Sequence, residues 1–315
     1  MKKSKRVVVV GSSNTDMIVN VERIPAPGET ILGGEFSMAA GGKGANQAVA
    51  VARIGGDASL VARVGDDTFG NQAIENFRKD GIDVSQVKID ESEASGVALI
   101  NVAASGENSI SVASGANSKL SENDVEAAAA AIESAGAVLT QLETPLETVE
   151  RLVRLSKEKG VPLILNPAPA RALSDELLKD VAVITPNESE AEILTGIKVI
   201  DVSTAKQAAA SLREKGVGVV IITLGAKGAY VSCEDHEQLI EGFPVEPIDT
   251  TAAGDTFNGA FASEMAKGEL SILDMIRFAN AAAAMSVTRA GAQPSIPRRG
   301  EVERFLKSGK IEEMR

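Results

Sequence analysis

The sequence predicts a doubly wound α/β fold, in which a mostly parallel β-sheet is flanked by helices and a small β-sheet forms a lid. Short, unbroken apolar segments are typical of strands that are buried on both faces. Amphipathic segments separate most of these strands, as they do in parallel β-α units. A second set of short, partly alternating segments interrupts this order and predicts a separate small sheet.

Each element of the main layer follows from a local pattern. Strands are predicted at 7–11, 59–65, 137–143, 161–167, 181–187 and 217–225. Helices are predicted between most of them, at 45–56, 67–81, 121–136, 145–160 and 203–216. Ser121 and Thr144 are predicted to cap the starts of helices, and Gly160 and Gly216 are predicted to end helices.

Four other segments predict the lid sheet, at 15–21, 30–39, 96–103 and 108–113. We therefore expect one α/β domain over residues 1–315, with the lid inserted from segments 14–40 and 95–113. A sheet this small buries little by itself, so it is expected to fold over the main domain. Its exposed edges favour pairing with a second copy of the chain, as a homodimer.

The composition excludes several classes of protein. A net charge of −12 argues against nucleic acid as a partner, because phosphate binding needs dense Lys and Arg. The single cysteine, Cys233, rules out an internal disulfide and fits a reducing compartment. The four-valine run near the N-terminus is too short for a signal peptide, and no segment approaches the ~20 apolar residues of a membrane span. We expect a soluble, cytoplasmic protein.

Histidine chemistry is also disfavoured. The only histidine, His236, lies among acidic residues in a segment that is typical of a surface turn. Catalytic arrangements that pair His with Ser or Cys, and zinc sites, therefore lack suitable residues. If the protein is an enzyme, its general base is expected to be a carboxylate or a lysine.

Polar residues follow the predicted strands at one edge of the sheet. Asn14, Glu143, Asn166, Asn187 and the turn at 223–225 all stand at strand ends. Asn and Gly are common turn residues, which would explain any one of these positions. Five of them in register instead favour a ligand site, because ligands of open α/β sheets bind beyond the carboxyl ends of the strands.

The glycine-rich segment 39–50 (AAGGKGANQAVA) does not match a known nucleotide loop. A P-loop would need Gly where Ser37 stands and Ser or Thr where Gly44 stands. The dinucleotide pattern also fails, because Gln47 occupies its last glycine position.

A second glycine-containing segment predicts an anion site. The small residues 252–254 precede a buried helix that starts near Asp255, so free N–H groups and the helix dipole would favour an anion there. Asp255 has two interpretations, a helix N-cap or a general base beside the bound anion. The small neighbouring residues favour the second, because they leave room for a bulky anion.

Two motifs carry a family resemblance. Segment 252–261 (AAGDTFNGAF) resembles the C-terminal signature of the ribokinase-like (PfkB-type) carbohydrate kinases, and 41–48 (GGKGANQA) resembles their N-terminal signature. The resemblance extends from about Val7 to Phe305 and includes 14–16, 25–30, 115–117, 143–145, 166–171, 185–192, 223–228 and 289–295. It implies the ribokinase-like fold and phosphorylation of D-ribose at O5 by ATP.

The resemblance also implies roles for individual residues. Asp255 would be the general base, and the backbone of Ala252, Ala253, Gly254 and Asp255 would stabilise the transferring phosphoryl group. The positions that match the sugar-binding set are Asn14, Thr15, Asp16, Gly42, Lys43, Gly44, Ala45, Asn46, Glu143 and Asp255. Such side chains suit a ring of hydroxyl groups, because together they donate and accept hydrogen bonds.

The matching nucleotide positions are Asn187, Glu190, Thr223, Leu224, Gly225, Ala226, Lys227, Gly228, Gly254, Asp255 and Asn280. In the family, the counterparts of Asn187 and Glu190 order Mg²⁺ and phosphate through water. From the residues alone, Glu190 is equally consistent with a solvated helix acid beside Glu188 and Glu192.

A monovalent cation, usually K⁺, is a further expectation from the resemblance. The matching positions are Asp249, Thr251, Ser286, Arg289, Gly291 and Ser295, mostly through backbone oxygens. Two of these residues would also suit a helix end without any cation, since Arg289 would offset a helix dipole and Gly291 would terminate a helix.

Other functions stay open at this point. The sugar could be deoxyribose, fructose or another pentose, or the substrate could be a nucleoside. The scarcity of aromatic residues in the lid segments disfavours a nucleoside. Phe36 is the only aromatic residue between residues 14 and 40. A non-catalytic sugar sensor would be expected to have lost the 252–255 segment, and an NAD-dependent oxidoreductase lacks its glycine motif after the first strand.

Overall fold

The computed structural model describes residues 6–309 and 311, and these form two β-sheets and the helices around them. In chain order the strands are β1 (Arg6–Val10), β2 (Asn14–Val21), β3 (Glu35–Gly41), β4 (Asp57–Gly65), β5 (Asp83–Asp90), β6 (Gly96–Ala103), β7 (Asn108–Ala113), β8 (Ala137–Thr140), β9 (Leu163–Leu165), β10 (Val183–Ile184), β11 (Val219–Thr223), β12 (Gly228–Ser232) and β13 (Glu237–Glu241). The helices are α1 (Lys43–Arg53), α2 (Thr68–Lys79), α3 (Glu122–Ala127), α4 (Ala129–Glu133), α5 (Leu146–Lys159), α6 (Asp175–Leu178), α7 (Glu188–Thr195), α8 (Val202–Glu214), α9 (Ala253–Lys267), α10 (Ile272–Ser286) and α11 (Arg299–Ser308).

The large sheet confirms the predicted mostly parallel layer. Its strand order is β13-β12-β11-β10-β9-β8-β1-β4-β5. Every pair from β11 to β5 is parallel, while β12 and β13 add an antiparallel hairpin at one edge. The carboxyl ends of the parallel strands therefore meet at one edge of the sheet, where a ligand site is expected.

Both faces of this sheet are buried, as the apolar segments predict. In β1, Val7 and Val9 pack with helices α1, α9 and α10 on one side. Val8 and Val10 pack with α5 and α8 on the other side. Because successive side chains of a strand point to opposite faces, an unbroken run of valines is the pattern that fills both layers.

Helix ends follow the predictions with one exception. Ser121 forms a capping box with Asp124 at the start of α3, and Gly160 ends α5 in the left-handed conformation. The predicted Thr144 cap is wrong, because Pro145 occupies the N-cap position of α5 and the Thr144 hydroxyl makes no cap bond. Gly216 lies just beyond the end of α8, with a φ of 97°.

The small sheet has the order β3-β2-β6-β7 and contains the four segments predicted for the lid. Residues 30–34 of the second predicted segment lie outside it, since β3 begins at Glu35. β2 and β3 leave and rejoin the main body at Asn14 and Gly41, which are paired with each other. This pairing places the base of the lid next to the N-terminus of α1.

Three strands of the main sheet, β5, β12 and β13, are missing from the sequence prediction. β5 is an edge strand in which polar residues interrupt the apolar pattern, and β12 and β13 form a hairpin. The turn of this hairpin contains His236, whose carbonyl accepts a hydrogen bond from the N–H of Cys233 at 2.9 Å. This confirms the predicted turn at the histidine.

Candidate active site

Asp255 lies in the first turn of α9, which directly follows a residue with an unusual backbone conformation. Ala252 is the N-cap residue of α9, with φ 61° and ψ 12°, in the left-handed region that few non-glycine residues occupy. Asp255 is consequently the third residue of the helix and does not cap it. The N-cap interpretation of Asp255 is therefore wrong, and its carboxylate is free to make other contacts.

The carboxylate of Asp255 is held by two amides of α1. Asn46 Nδ2 donates to Oδ2 at 2.9 Å, and Gln47 Nε2 donates to Oδ1 at 3.0 Å. Asp255 is only 7% exposed, and this burial raises its pKa even though Lys43 and both amides favour the charged form. A carboxylate with a raised pKa is a stronger proton acceptor than an exposed one.

A glycine makes this contact between the helices possible. A Cβ on Gly259 would lie 2.4 Å from the Cβ of Ala50 and 2.7 Å from the carbonyl oxygen of Gln47. Helix α9 can therefore approach α1 this closely only because residue 259 has no side chain. The close approach brings Asp255 within reach of Asn46 and Gln47.

The turn before α9 presents backbone donors. The first helical hydrogen bond runs from the N–H of Thr256 to the carbonyl of Ala252, at 2.8 Å. Among the described residues, the N–H groups of Gly254 and Asp255 have no acceptor, as is usual in the first turn of a helix. The space in front of Gly254 is open, because a Cβ there would meet no atom within 4 Å. An anion can bind here beside Asp255.

Lys43 and Glu143 form the opposite wall. Lys43 Nζ lies 3.8 Å from Glu143 Oε1, and the other carboxylate oxygen accepts hydrogen bonds from Ser12 Oγ at 2.5 Å and from the N–H of Lys43 at 3.0 Å. Burial opposes the charge of Lys43, but four surrounding carboxylates outweigh it and raise the pKa of Lys43. Two of these carboxylates belong to Asp16 and Asp255. The ammonium group therefore stays charged at the centre of the site.

Two glycines, one before α1 and one in its first turn, bring the start of this helix close to the segment between β1 and β2. Gly42 has a φ of 88°, and a Cβ there would lie 2.7 Å from the backbone nitrogen of Asn14. A Cβ on Gly44 would lie 2.5 Å from the backbone nitrogen of Ser12. The segment that fails as a nucleotide loop is thus a tight connection between the lid and α1, as glycine allows.

The lid contributes Asp16. Its carboxylate packs where a side chain on Gly41 would lie, because a Cβ there would be 2.3 Å from Asp16 Oδ2. Burial, followed by the negative charge of Glu143, raises the pKa of Asp16 to about 6. The neighbouring Thr15 points to the other face of the sheet, because side chains alternate along β2. The resemblance to the family includes both residues, but the structure places only the Asp16 side chain towards Lys43 and Glu143.

Asn14, also predicted for this site, is fixed by a residue outside the predicted set. Asn117 Nδ2 donates to Asn14 Oδ1 at 2.7 Å, and Asn117 also exchanges hydrogen bonds with the backbone of Ser13. Asn117 is buried in the short 3₁₀-helix after β7. Its position in the motif at 115–117 is the only signal for it in the sequence.

Of the three acids considered at the start of α7, Glu190 is the one that faces the site. Glu190 is 7% exposed, whereas Glu188 is half-buried and Glu192 is exposed. Asn187 and Glu190 form a capping box, in which Asn187 Oδ1 accepts from the N–H of Glu190 at 2.8 Å and Glu190 Oε2 accepts from the N–H of Asn187 at 2.9 Å. Burial raises the pKa of Glu190, and the charge of Lys43 opposes that rise.

The remaining predicted nucleotide positions lie beside Asn187. The N–H of Thr223 donates to the carbonyl of Pro186 at 2.9 Å, and residues 225–227 form a 3₁₀-helix that ends at Gly228 with a φ of 104°. Leu224 is buried, while Gly225, Ala226 and Lys227 are exposed. Asn280 donates from Nδ2 to the carbonyl oxygens of Ile240 and Glu241, at 3.1 and 3.3 Å, and so ties α10 to the edge hairpin.

The predicted cation positions are joined by Asp249. Its Oδ1 accepts from the N–H of Thr251 and its Oδ2 accepts from the N–H of Gly291, both at 2.8 Å. Burial favours protonation of Asp249, but these hydrogen bonds outweigh it and lower its pKa. Among residues 6–309 and 311, no three His, Cys, Asp or Glu side chains are grouped as a metal would require. A cation here would depend on backbone carbonyl oxygens.

The other members of that set border the same turn. Ser286 and Ser295 are fully buried, and their hydroxyl groups donate to backbone carbonyls three residues earlier. Arg289 forms an ion pair with Glu301, with 2.5 Å between a terminal guanidinium nitrogen and Oε1. The guanidinium is thus held by α11. Arg289 lies beyond the last turn of α10, which ends at Ser286, so the prediction that it offsets a helix dipole from that turn is wrong.

A cavity of about 240 Å³ lies on the far side of the lid base from Asp16. It is bordered by Thr15 and Ala40 of the lid, by Phe69 and Asn76 of α2, and by Gln293. Its lining includes Asn14 and Thr15, which are predicted for sugar binding, but none of Lys43, Glu143 or Asp255, so it borders the site described above at the base of the lid.

A buried carboxylate beside free helix N–H groups, at the carboxyl edge of a parallel sheet and next to a lid, is the arrangement expected of a phosphotransferase that acts on an alcohol. The comparisons with known proteins agree with that class. Residues 4–299 match the family described as pfkB family carbohydrate kinase. The chain therefore belongs to the pfkB family of carbohydrate kinases.

Its relatives include enzymes for two pentoses. The chain is 49% identical over 302 residues to a ribokinase of Haemophilus influenzae, covering 96% of this chain and 98% of that one. It is 38% identical over 303 residues to a deoxyribokinase of Salmonella typhimurium, covering 95% and 97%. The solved structure of Arabidopsis thaliana ribokinase complexed with ribose and ATP has a TM-score of 0.88 and 36% identity, over 98% of this chain and 99% of that one. Within the described residues, no helix is long and apolar enough to span a membrane.

Proposed function

We propose that this chain transfers the γ-phosphoryl group of ATP to O5 of D-ribose, giving D-ribose 5-phosphate and ADP. The observation that carries this proposal is the buried Asp255 carboxylate beside the free N–H groups of Gly254 and Asp255. The similarity to ribokinases over nearly the whole chain supports ribose as the sugar.

The site residues have separate roles in the proposed reaction. Asp255 accepts the proton of the 5-hydroxyl group while that oxygen attacks the γ-phosphorus, and the bond from phosphorus to the oxygen bridging to the β-phosphate breaks as ADP leaves. The N–H groups at the start of α9 donate to the oxygens of the transferring group, where negative charge is held in the transition state. Lys43, which stays charged, adds attraction for the same group.

Ribose is held by the polar residues between the lid and α1. Asp16 and Glu143 accept hydrogen bonds from hydroxyl groups, and Lys43 donates to them. Asn46 is suited to both substrate and base, because its Nδ2 is used by Asp255 while its buried Oδ1 has no partner among the described residues. A sugar hydroxyl group would satisfy that oxygen, which otherwise costs free energy to bury.

We propose that ATP binds along the 223–228 turn, Asn187 and Asn280, with its γ-phosphate directed towards Asp255. We further propose that Glu190 and Asn187 hold Mg²⁺ and its water ligands, since Glu190 is a buried acid close enough to Lys43 and Asp255 to interact with their charges. Bound Mg²⁺ would neutralise phosphate charge. The turn around Asp249, Thr251 and Gly291 would hold a monovalent cation such as K⁺ next to α9, through its backbone carbonyl oxygens.

The base assignment is tested by Asp255→Asn, which keeps the shape of the side chain and removes its basicity. We expect turnover to fall by a factor of about 10³ or more, on the scale of general-base catalysis and orientation together, while ribose still binds. Turnover is measured by coupled ADP release and binding by calorimetry. Unchanged turnover would remove Asp255 as the base.

The sugar is tested by comparing kcat/KM for ribose, deoxyribose, fructose and adenosine under one set of conditions. We expect ribose to be preferred. Deoxyribose lacks the 2-hydroxyl group and would leave a buried polar side chain without its partner, which is costly. Equal or higher kcat/KM for any other sugar would contradict the ribose assignment, whereas the kinase assignment would stand.

We also propose a homodimer formed through the lid, in a single α/β domain that acts in the cytoplasm. The lid exposes large apolar side chains that a monomer would leave in water: Phe36, Met38, Leu99, Ile110 and Val112 are each more than half exposed. A second lid packed over one face of the sheet would cover part of this surface.

A further inference from the structure

Gln47 is the second amide donor to Asp255 and has no role in binding the proposed substrates. It is fully buried, with no solvent exposure, so neither ribose nor ATP can touch it. It nevertheless connects Asp255 to the sheet, because its Nε2 donates to Asp255 Oδ1 and to Asn166 Oδ1, each at 3.0 Å. Both hydrogens of this amide group are therefore used.

The direction of the Gln47 amide is set from its other end. Gln141 Nε2 donates to Gln47 Oε1 at 2.6 Å, so the oxygen of Gln47 faces Gln141 and its nitrogen faces Asp255. Asn166 is held in turn, because its Nδ2 donates to the carbonyl of Thr185 at 3.3 Å. Gln141 and Asn166 directly follow β8 and β9, so the carboxyl edge of the sheet fixes the orientation of Gln47.

Asn46 and Gln47 each donate a hydrogen bond to a different oxygen of the Asp255 carboxylate. Asn46 holds Oδ2 and Gln47 holds Oδ1, so the plane of the carboxylate is determined by two donors from one helix. Each carboxylate oxygen keeps a further lone pair that can accept the proton of a hydroxyl group. If the donor to Oδ1 were removed, the carboxylate could rotate about its bond to the Cβ atom, and one oxygen would be buried without a donor.

We propose that Gln47 is a positioning residue that holds the Asp255 carboxylate in the orientation in which it accepts the sugar proton. This inference rests on the proposed function, because it assigns Gln47 a task in the step in which Asp255 is the base. It concerns only residues within this chain and requires no bound metal.

Gln47 also affects the proton affinity of Asp255. Hydrogen bonds from Asn46 and Gln47 favour the charged carboxylate, whereas burial disfavours it. The charged groups around Asp255 are Lys43 of α1, Glu143 after β8, Asp16 of the lid and Glu190 of α7. A substitution at Gln47 leaves all four in place. Loss of its donor therefore raises the pKa of Asp255 further, and the base becomes ionised only at higher pH.

The test is the pH dependence of kcat in Gln47→Met, which keeps the length of the side chain and removes its donor. We expect the acidic limb of the profile to move to higher pH by about one unit, the effect of one lost hydrogen bond to a carboxylate. The plateau value of kcat should fall by about 10- to 100-fold, because the base is no longer aligned. KM for ribose and ATP should change less than about threefold, since Gln47 does not contact them.

A second variant covers the case in which Gln47→Met does not fold, since it leaves Gln141 and Asn166 without partners in the interior. Gln47→Glu keeps the shape and places a second carboxyl group beside Asp255. Two neighbouring carboxyl groups cannot both ionise easily, so the acidic limb should move further to higher pH. Circular dichroism and the unfolding midpoint establish that each variant is folded.

The outcomes separate the two proposals. An acidic limb at the wild-type pH in both folded variants would overturn the role of Gln47, even where Asp255→Asn is inactive. Turnover that persists in Asp255→Asn would instead overturn the assignment of the base. A loss of kcat in Gln47→Met that leaves the pH profile unchanged would indicate a structural role only, and would also overturn the proposal.

Discussion

Among single residues, Asp16 has an environment that is costly for the unliganded protein. Its carboxylate lies near Glu143 in a partly buried position, and its pKa is raised to about 6 from a reference of 3.8. The folded protein therefore binds the Asp16 proton more tightly than the unfolded chain does. Above pH 6 the ionised Asp16 destabilises the fold, and below pH 3.8 it is protonated in both states and this cost disappears.

We predict that Asp16→Asn stabilises the unliganded protein at pH 7.5 and weakens ribose binding. The free energy of unfolding should rise by roughly 1–3 kcal/mol, the equivalent of a pKa difference of about two units. Urea unfolding at pH 7.5 and near pH 3.5 measures this, and the difference from wild type should vanish at the lower pH. A variant that is less stable than wild type at pH 7.5 would contradict the prediction.

Several site residues could be predicted from the sequence, while others could not. Asp255, Lys43 and Asn46 stand in short motifs whose glycines and small residues have a local physical meaning. Gln47 and Asn117 also stand in such motifs but are absent from the predicted site, because they hold other side chains, Asp255 and Asn14, that are distant in the chain. Local patterns carry no information about such partners.

Among the elements, the pair formed by α1 and α9 matters most to the site. α1 supplies Lys43, Asn46 and Gln47, and α9 supplies Asp255 with the free N–H groups before it. The two helices are in contact at Gly259. The proposed catalytic geometry thus depends on the packing distance between these two helices.

We predict that Gly259→Ala lowers both stability and turnover. Alanine is the better helix former by about 1 kcal/mol, but its methyl group would overlap Ala50 and the backbone of Gln47, at a cost of about 1–3 kcal/mol. Any shift of α9 also moves Asp255 away from its donors, so kcat should fall by about 10- to 100-fold. Urea unfolding and steady-state kinetics measure the two effects.

The matched control is Gly300→Ala in α11. A Cβ at Gly300 would meet only Arg304, at 3.5 Å, so the methyl group fits there. We expect stability to be unchanged or to rise by up to about 1 kcal/mol, with unaltered kcat. If Gly259→Ala behaves like this control, then close packing of α1 and α9 is not what positions Asp255.

The elements themselves were predictable where one local pattern dominated. The segments that form β1, β4, β8, β9, β10 and β11 are largely apolar, because they are buried on both faces. β5 and β13 lie at the edges of the sheet and contain exposed polar residues, so the same criterion misses them. The helix predicted at 121–136 is divided into α3 and α4 at Ala128, where no Gly or Pro marks the break.

At the scale of the whole molecule, the lid raises the question of assembly. Ile110 and Val112 lie on β7, two residues apart, and so share one face of the sheet. Val112 is paired with Ala98, which is paired with Asp16, so this is the face that carries the carboxylate proposed to bind the sugar. A partner lid that covers it would shield both the apolar side chains and the sugar from water.

We predict that the wild-type protein is a dimer and that the double variant Ile110→Lys, Val112→Lys is a monomer. Two charged ammonium groups cannot be buried in an apolar interface without a large cost. Light scattering after size-exclusion chromatography measures the mass. Ile200→Lys is the matched control, because Ile200 is 63% exposed between α7 and α8, outside the lid, and should not affect assembly. A wild-type monomer at working concentration would refute the lid interface.

The contact between Asn46 and Asp255 joins residues that are 209 positions apart in the chain. Closing so long a loop costs chain entropy before the contact contributes any stability, so we expect this contact to form late in folding. During refolding, most of the helical signal is therefore expected to return before any kinase activity does. After dilution from urea, the return of ADP production is expected to follow the slowest phase of tertiary structure formation and never to precede it.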